Sequence, residues 1–179
     1  IGAFRAPRSN FNAAAEQSFL DELAEVMGKD PIEFRLELLK RAKENPVGKN
    51  NEYDADRYAG VLKLVKEKSG WNNPENKKYS RGVAAYFCHN SYAAHVVDVV
   101  KRDDQPYVER VFSAVDCGIV INPDAATNMV QGAVVDGIGN ALYGGLTHKE
   151  GVSEQNNFNR YRMIRFREAP KRIDVHFST

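Results

Sequence analysis

The sequence predicts an α+β fold: N-terminal helices followed by a mixed sheet with one long helix packed on it. Three observations carry this expectation. Apolar residues recur at helical spacing early in the chain and change to strand alternation after residue 80. A polar linker rich in Asn and Lys, residues 71–80, separates the two patterns. A second helical stretch then follows the strands and leads into short strands, an order unlike regular βαβ alternation. The length suggests one domain, or one domain plus an appendage, with 9–70 mainly helical and 80–179 α+β, and residues 1–179 read as a fragment of a larger one.

The first helix is expected from a cap at Ser9 or Asn10 to about Met27. Phe19, Leu20, Leu23, Val26 and Met27 form its apolar stripe, and Gly28 stands where a C-terminal glycine cap belongs. Asp30 and Pro31, with Glu33 three residues after the Asp, predict a capping box that opens a second helix to about Lys43. Asn45 and Pro46 end it. A third helix starts at Asp54 or Asp56 and turns Tyr58, Val61, Leu62 and Val65 inward. Strands are expected over 83–87, 94–100 and 107–115, with residues 103–106 as a hairpin loop. Asn122, Pro123 and Asp124 start the long helix, which runs to about Tyr143. A small hairpin over 146–153 and a strand over 173–177 complete the chain.

Composition excludes several function classes. The 25 Lys+Arg and 24 Asp+Glu give a net charge of +1, with no global attraction to nucleic acid or acidic lipid. No apolar run is long enough to span a membrane, and no signal peptide opens the chain. Two cysteines, Cys88 and Cys117, exclude a disulfide-rich scaffold and a Cys-based zinc site, and both are read as reduced. The histidines His89, His95, His148 and His176 show no HxxxH spacing, so no helical metal pair is expected. The start at Ile1 and the stop just after a strand read as a piece of a larger protein.

Four stretches carry candidate chemistry. Residues 2–8, with Gly2, Phe4, Arg5 and Pro7, could lay amides and a guanidinium against an anion or oxo group; on composition alone a disordered end followed by a helix cap explains them better. Residues 115–123 place Asp116 and Gly118 at a break between strand and helix, where capping by Asn122 competes with anion binding. On the long helix Asn128, Gly132, Asp136 and Gly139 share one narrow face, and Val130, Val134, Ile138 and Ala141 another. Each helical glycine costs roughly 1 kcal/mol against Ala, so close approach of a cofactor or of another element should compensate. Finally, residues 160–167 interleave four arginines with aromatics. They suggest a nucleic-acid surface or, better, a solvated strand face, since no larger basic stripe accompanies them.

Taken together, these segments resemble the molybdopterin-binding large subunit of the xanthine dehydrogenase/aldehyde oxidase family, in particular its isoquinoline 1-oxidoreductase beta branch. The resemblance rests on Gly2-Ala3-Phe4-Arg5-Ala6-Pro7, on Asp21-Glu22-Leu23-Ala24, and on Gly28-Lys29-Asp30-Pro31-Ile32-Glu33-Phe34-Arg35. It rests further on the stretch from Ala114 to Asp124, on Gln155-Asn156-Asn157-Phe158 and on Arg167-Glu168-Ala169-Pro170.

The resemblance implies a molybdenum-dependent oxidoreductase that hydroxylates a small N-heterocycle or aldehyde with water as the oxygen source. Electrons would pass to an iron–sulfur small subunit. It implies that Ala3, Phe4 and Arg5 lie beside the metal and that Met129, Gln131 and Gly132 lie near the pterin. Met129 and Gln131 stand where the family commonly has Gln and Glu, so the amide contact of that Gln is missing at Met129. The catalytic glutamate is expected after Thr179 and glycine-rich cofactor loops before Ile1. Alone, then, this stretch would be inactive, bind no metal of its own and carry no cofactor, and would need the remainder of its own chain. Members of the branch often carry an export signal at a start that is expected to precede Ile1, so the compartment, bacterial cytoplasm or periplasm, stays open. A relative that lost the cofactor and serves as a binding or scaffold protein is the alternative.

Overall fold

The computed structural model describes residues 6–7, 9–46 and 53–178. Three helices come first: α1 (Ser9–Val26), α2 (Pro31–Glu44) and α3 (Ala55–Lys68). A 3-10 turn (Pro74–Lys78) leads to the long strands β1 (Ser80–Cys88), β2 (Ser91–Arg102) and β3 (Gln105–Asp116). Helix α4 (Pro123–Leu142) follows, then a small hairpin of β4 (His148–Lys149) and β5 (Val152–Ser153), a 3-10 turn (Phe166–Glu168) and β6 (Arg172–Phe177). The main sheet has the order β1-β2-β3-β6. Its first three strands are antiparallel and β6 joins β3 in parallel, which makes the sheet mixed, as expected.

Local chemistry explains the boundaries. Gly28 takes φ +63° and the Lys29 amide bonds the Ala24 carbonyl at 2.8 Å, closing α1 in a left-handed turn. Asp30 Oδ1 accepts from the amides of Ile32 and Glu33 at 2.9 and 3.0 Å and so caps α2. The expected box is only half formed, because Glu33 pairs with Lys66 of α3 instead of reaching back. Asp54, not Asp56, caps α3; Asp56 instead pairs with Lys43 at 2.6 Å. The loop expected over 103–106 narrows to Asp103 and Asp104, with φ +47° and +61°. Such a turn matches the twist of its strands, and Gln105 and Pro106 pair with Arg102 and Lys101.

The core lies on one face of the sheet. Ile32, Leu39, Val61, Leu62 and Val65 pack on Val83, Ala85, Tyr92, Ala94, Val96, Phe112 and Ala114. Alternation along β2 sends Tyr92, Ala94, Val96 and Asp98 to this side. The linker is ordered through polar contacts: the Trp71 indole donates to Asp30 Oδ2 at 2.7 Å, and Arg81 donates to the carbonyls of Ser69, Gly70 and Trp71.

Two expectations are corrected. The stripe on α1 does not bury as a unit: Phe19, Val26 and Met27 are exposed, whereas Gln17 and Ala24 are buried. Gln17 is inside because its Oε1 accepts from Arg35 Nε at 2.8 Å and from the Ala85 amide at 3.0 Å, tying α1 to α2 and β1. Residues 160–165 form no strand. The stretch instead turns towards α4, where Tyr161, Arg162, Met163 and Ile164 line a cleft, and ends in the 3-10 turn.

Candidate functional site

The candidate site is the sheet end where β3 hands over to α4. Asp116 closes β3, and Arg57 of α3 grips its carboxylate with Nε at 2.9 Å and Nη2 at 2.6 Å. The Arg57 guanidinium lies 4.6 Å from the Tyr92 ring centre, and the Tyr92 hydroxyl accepts the Asp54 amide at 2.6 Å. Hydrogen bonding to Arg57 holds the Asp116 carboxyl below its usual range, against the opposing effect of burial. The Gly118 amide adds to this, donating to Asp116 Oδ1 at 3.2 Å. Gly118 has φ +77°, a turn that L side chains resist. Asn122 Oδ1 then accepts the Ala125 amide at 3.0 Å, with Pro123 at the first helical position. Capping therefore accounts for Asp116, Gly118, Asn122 and Pro123. It does not account for Ile119 and Ile121, which are 91% and 92% exposed.

The sequence-derived site residues separate in space. Ala3, Phe4 and Arg5 lie outside the described residues. On α4, Met129 is 77% exposed, and a Cβ at Gly132 would meet open space. Gln131 turns the other way and donates its amide to the Ile173 carbonyl of β6 at 3.1 Å. Met129 and Gly132 thus share an outward face with the exposed Asn128, while Gln131 pins the helix to the sheet edge.

The remaining glycines of α4 divide in the same way. A Cβ at Gly139 would come within 3.0 Å of Ile164 Cγ2, so this glycine admits a neighbouring segment. There Asp136, Asn140, Tyr161 and Arg162 line a cleft of about 220 Å³. Gly137 has no neighbour and faces an apolar cleft of about 510 Å³ between α4 and the sheet. Val130, Val134, Ile138 and Ala141 line that cleft, as their helical spacing predicts, opposite Ala93, Val97 and Val111. Among the described residues His95 is the one titratable group on its wall; desolvation drives its pKa down to about 4, and its Nδ1 lies 2.8 Å from Ser113 Oγ. Among the described residues no cluster of metal-ligating side chains occurs, and no helix is long and apolar enough to cross a membrane. Cys88 and Cys117 are free thiols, as expected.

Arg57 escaped sequence reading. It lies 59 residues from Asp116 and carries no local motif. The acid alone, at a strand end before a glycine, was visible.

Comparison with known proteins decides the family. The profile of the molybdopterin cofactor-binding domain matches residues 13–170. The chain belongs to the molybdopterin cofactor-binding domain family. It is 28% identical over 163 residues to the beta subunit of isoquinoline 1-oxidoreductase of Brevundimonas diminuta, covering 88% of this chain and 19% of that protein. It is 25% identical over 188 residues to the membrane-bound aldehyde dehydrogenase (pyrroloquinoline-quinone) of Gluconacetobacter polyoxogenes, covering 98% and 24%. It is 27% identical over 184 residues to a nicotinate dehydrogenase subunit of Pseudomonas putida, covering 92% and 14%. The chain therefore spans less than a quarter of the length of these relatives.

The open space over Gly132 admits a flat group close to the α4 backbone, and Met129, Ile119 and Ile121 are apolar and uncovered. Hydrogen-bonding groups are sparser: Met129 has none, the Gln131 amide nitrogen is engaged, and Asn128 is exposed. The described residues fit one wall of a cofactor site.

Proposed function

We propose that this chain is the part of a molybdenum hydroxylase large subunit that walls one side of the cofactor. The whole protein oxidises a small N-heterocycle or aldehyde with water as the oxygen source and delivers electrons to an iron–sulfur small subunit. When bound, a molybdenum cofactor supplies the two-electron redox chemistry. The chain's own residues position and exclude water: Met129, Gly132, Ile119 and Ile121 present an apolar wall, and Gln131 fixes the helix that carries it. Ala3, Phe4 and Arg5 are proposed cofactor contacts beside the metal. No described residue is proposed as the catalytic base, which is a glutamate supplied outside residues 1–179, as are further cofactor loops. The stretch by itself is therefore inactive.

One observation carries this reading. Ile119 and Ile121 before α4 and Met129 within it stay more than three-quarters exposed, and a Cβ at Gly132 would meet open space. Large apolar side chains left uncovered along one stretch of chain mark a surface that something covers. The family match and the names of two relatives, which mention isoquinoline and nicotinate, support a cofactor and a heterocycle.

The test is molybdenum per polypeptide in the full-length protein, expressed with its neighbouring small subunit in a host that loads a related enzyme. Near-stoichiometric metal is expected. Metal at background would sink this reading and leave the cofactor-free scaffold, which Met129 favours, as the function.

A further inference from the structure

We propose that Arg57 is a positioning residue for the cofactor-facing loop, acting through Asp116. The inference rests on the function proposed above, in which residues 117–121 and the start of α4 face the cofactor.

The argument is one of constraint. Residues 117–121 belong to no helix or strand. Among the described residues, no backbone–backbone hydrogen bond outside the regular elements holds them. Their anchors are at the two ends: Asp116 accepts the Gly118 amide, and Asn122 caps α4. At the α4 end the helix is tied to β6 through Gln131 and the Ile173 carbonyl. At the other end the Asp116 backbone is fixed by its pairing with Tyr92, and the carboxylate that receives the Gly118 amide needs its own rigidity to set the turn. Arg57 supplies that rigidity with a planar two-point grip. Arg57 is itself fixed, because its guanidinium lies on the Tyr92 ring, whose hydroxyl holds the Asp54 amide at the α3 cap. Arg57 Nη2 also reaches the Asn90 carbonyl at 3.4 Å, in the turn between β1 and β2. A path of contacts thus runs from the helical layer, across the sheet end, to the Gly118 amide, one residue before Ile119. A lysine keeps the charge but loses both the second contact and the flat face.

The experiment has two readouts. Hydrogen exchange by mass spectrometry is measured on the chain itself for the wild type, Arg57→Gln and Arg57→Lys. A core variant, Val61→Ala, serves as a destabilised control. Molybdenum per polypeptide is measured on the full-length protein carrying the same substitutions. In Arg57→Gln, exchange of the Gly118 amide, the loop amide bonded to Asp116, is expected to rise severalfold with β2 and β3 unchanged, and metal content to fall severalfold. Arg57→Lys should fall between, and Val61→Ala should keep loop protection and metal.

Unchanged loop exchange in Arg57→Gln overturns the positioning role, whatever the metal content. Faster exchange with full metal retention overturns it too, because the loop position would then be irrelevant to the cofactor. Equal loop loosening in Val61→Ala would reduce Arg57 to ordinary stability and also overturn it. Background metal in the wild type would be the failure of the proposed function itself, and is recognised by that.

Discussion

Asp98 is fully buried in the middle of β2, and its charge is held by Arg81 at 2.7 Å and by Arg110 Nε at 2.7 Å. Arg110 also donates to Asn76 at 2.9 Å and lies 4.5 Å from the Tyr79 ring centre. Removing Asp98 leaves two largely buried guanidiniums without a counter-ion, held only by neutral acceptors. Asp98→Ala is therefore expected to cost about 3–5 kcal/mol, read as a lowered urea midpoint with an unchanged slope. His95 gives the pH prediction. Its folded pKa is about 4 against an ordinary 6.5, because burial disfavours the imidazolium. Between these values the unfolded chain binds a proton that the folded chain does not. The contribution is fully present above pH 6.5, is lost as the pH falls towards 4, and changes no further below that. It amounts to at most about 3 kcal/mol. His95→Leu should flatten this slope in denaturation curves taken at several pH values; an equal slope in the variant would refute the assignment. Neither group's importance was legible in the sequence. Asp98 looked like a polar residue in an alternating strand, and its partners come from residues 17 positions before and 12 after it.

At the scale of elements, α4 offers a paired test. Gly132→Ala meets open space and removes a helix-weakening glycine, so it should stabilise the chain by up to about 1 kcal/mol. Gly139→Ala places its methyl 3.0 Å from Ile164 Cγ2 and should destabilise by roughly 1–3 kcal/mol. Thermal melts of both variants check the signs. If Gly132 gives the cofactor its close approach, Gly132→Ala in the full-length protein should lower metal content while raising the melting temperature. The sequence pattern located α2, α3, the strands and α4 to within a few residues, because caps and periodicity are local. It misjudged which side of α1 is inside. An apolar stripe states a preference for burial, but the Gln17–Arg35–Ala85 connection, formed across 68 residues, decided the orientation.

At the scale of the whole molecule, uncovered apolar side chains are most numerous after β3. Ile119, Ile121 and Met129 are joined by Phe158 and Phe166, which are 80% and 99% exposed. Helix α4 carries two charged residues, Asp124 and Asp136, yet Gly139 is its sole buried residue. A helix this poor in charge is built for burial on several sides. The chain alone is expected to bind a hydrophobic dye such as ANS and to associate at high concentration, with salt failing to reverse it. Ile119→Lys with Ile121→Lys should reduce both effects and leave stability within about 0.5 kcal/mol of the wild type in thermal melts, since neither side chain packs on the core. Full dye binding by that double variant would place the sticky surface elsewhere.

The sequence by itself determined the order of elements, their caps, the change of period after the linker and the family resemblance. These follow from neighbours along the chain or from motifs a few residues long. Tertiary structure alone decided that Asp116 answers to Arg57, that Gln131 faces the sheet while Met129 and Gly132 face outward, and that residues 160–165 are not a strand. The Asp116 and Gln131 outcomes depend on partners more than 40 residues away, and the path of 160–165 on its packing beside α4, none of which local propensity encodes.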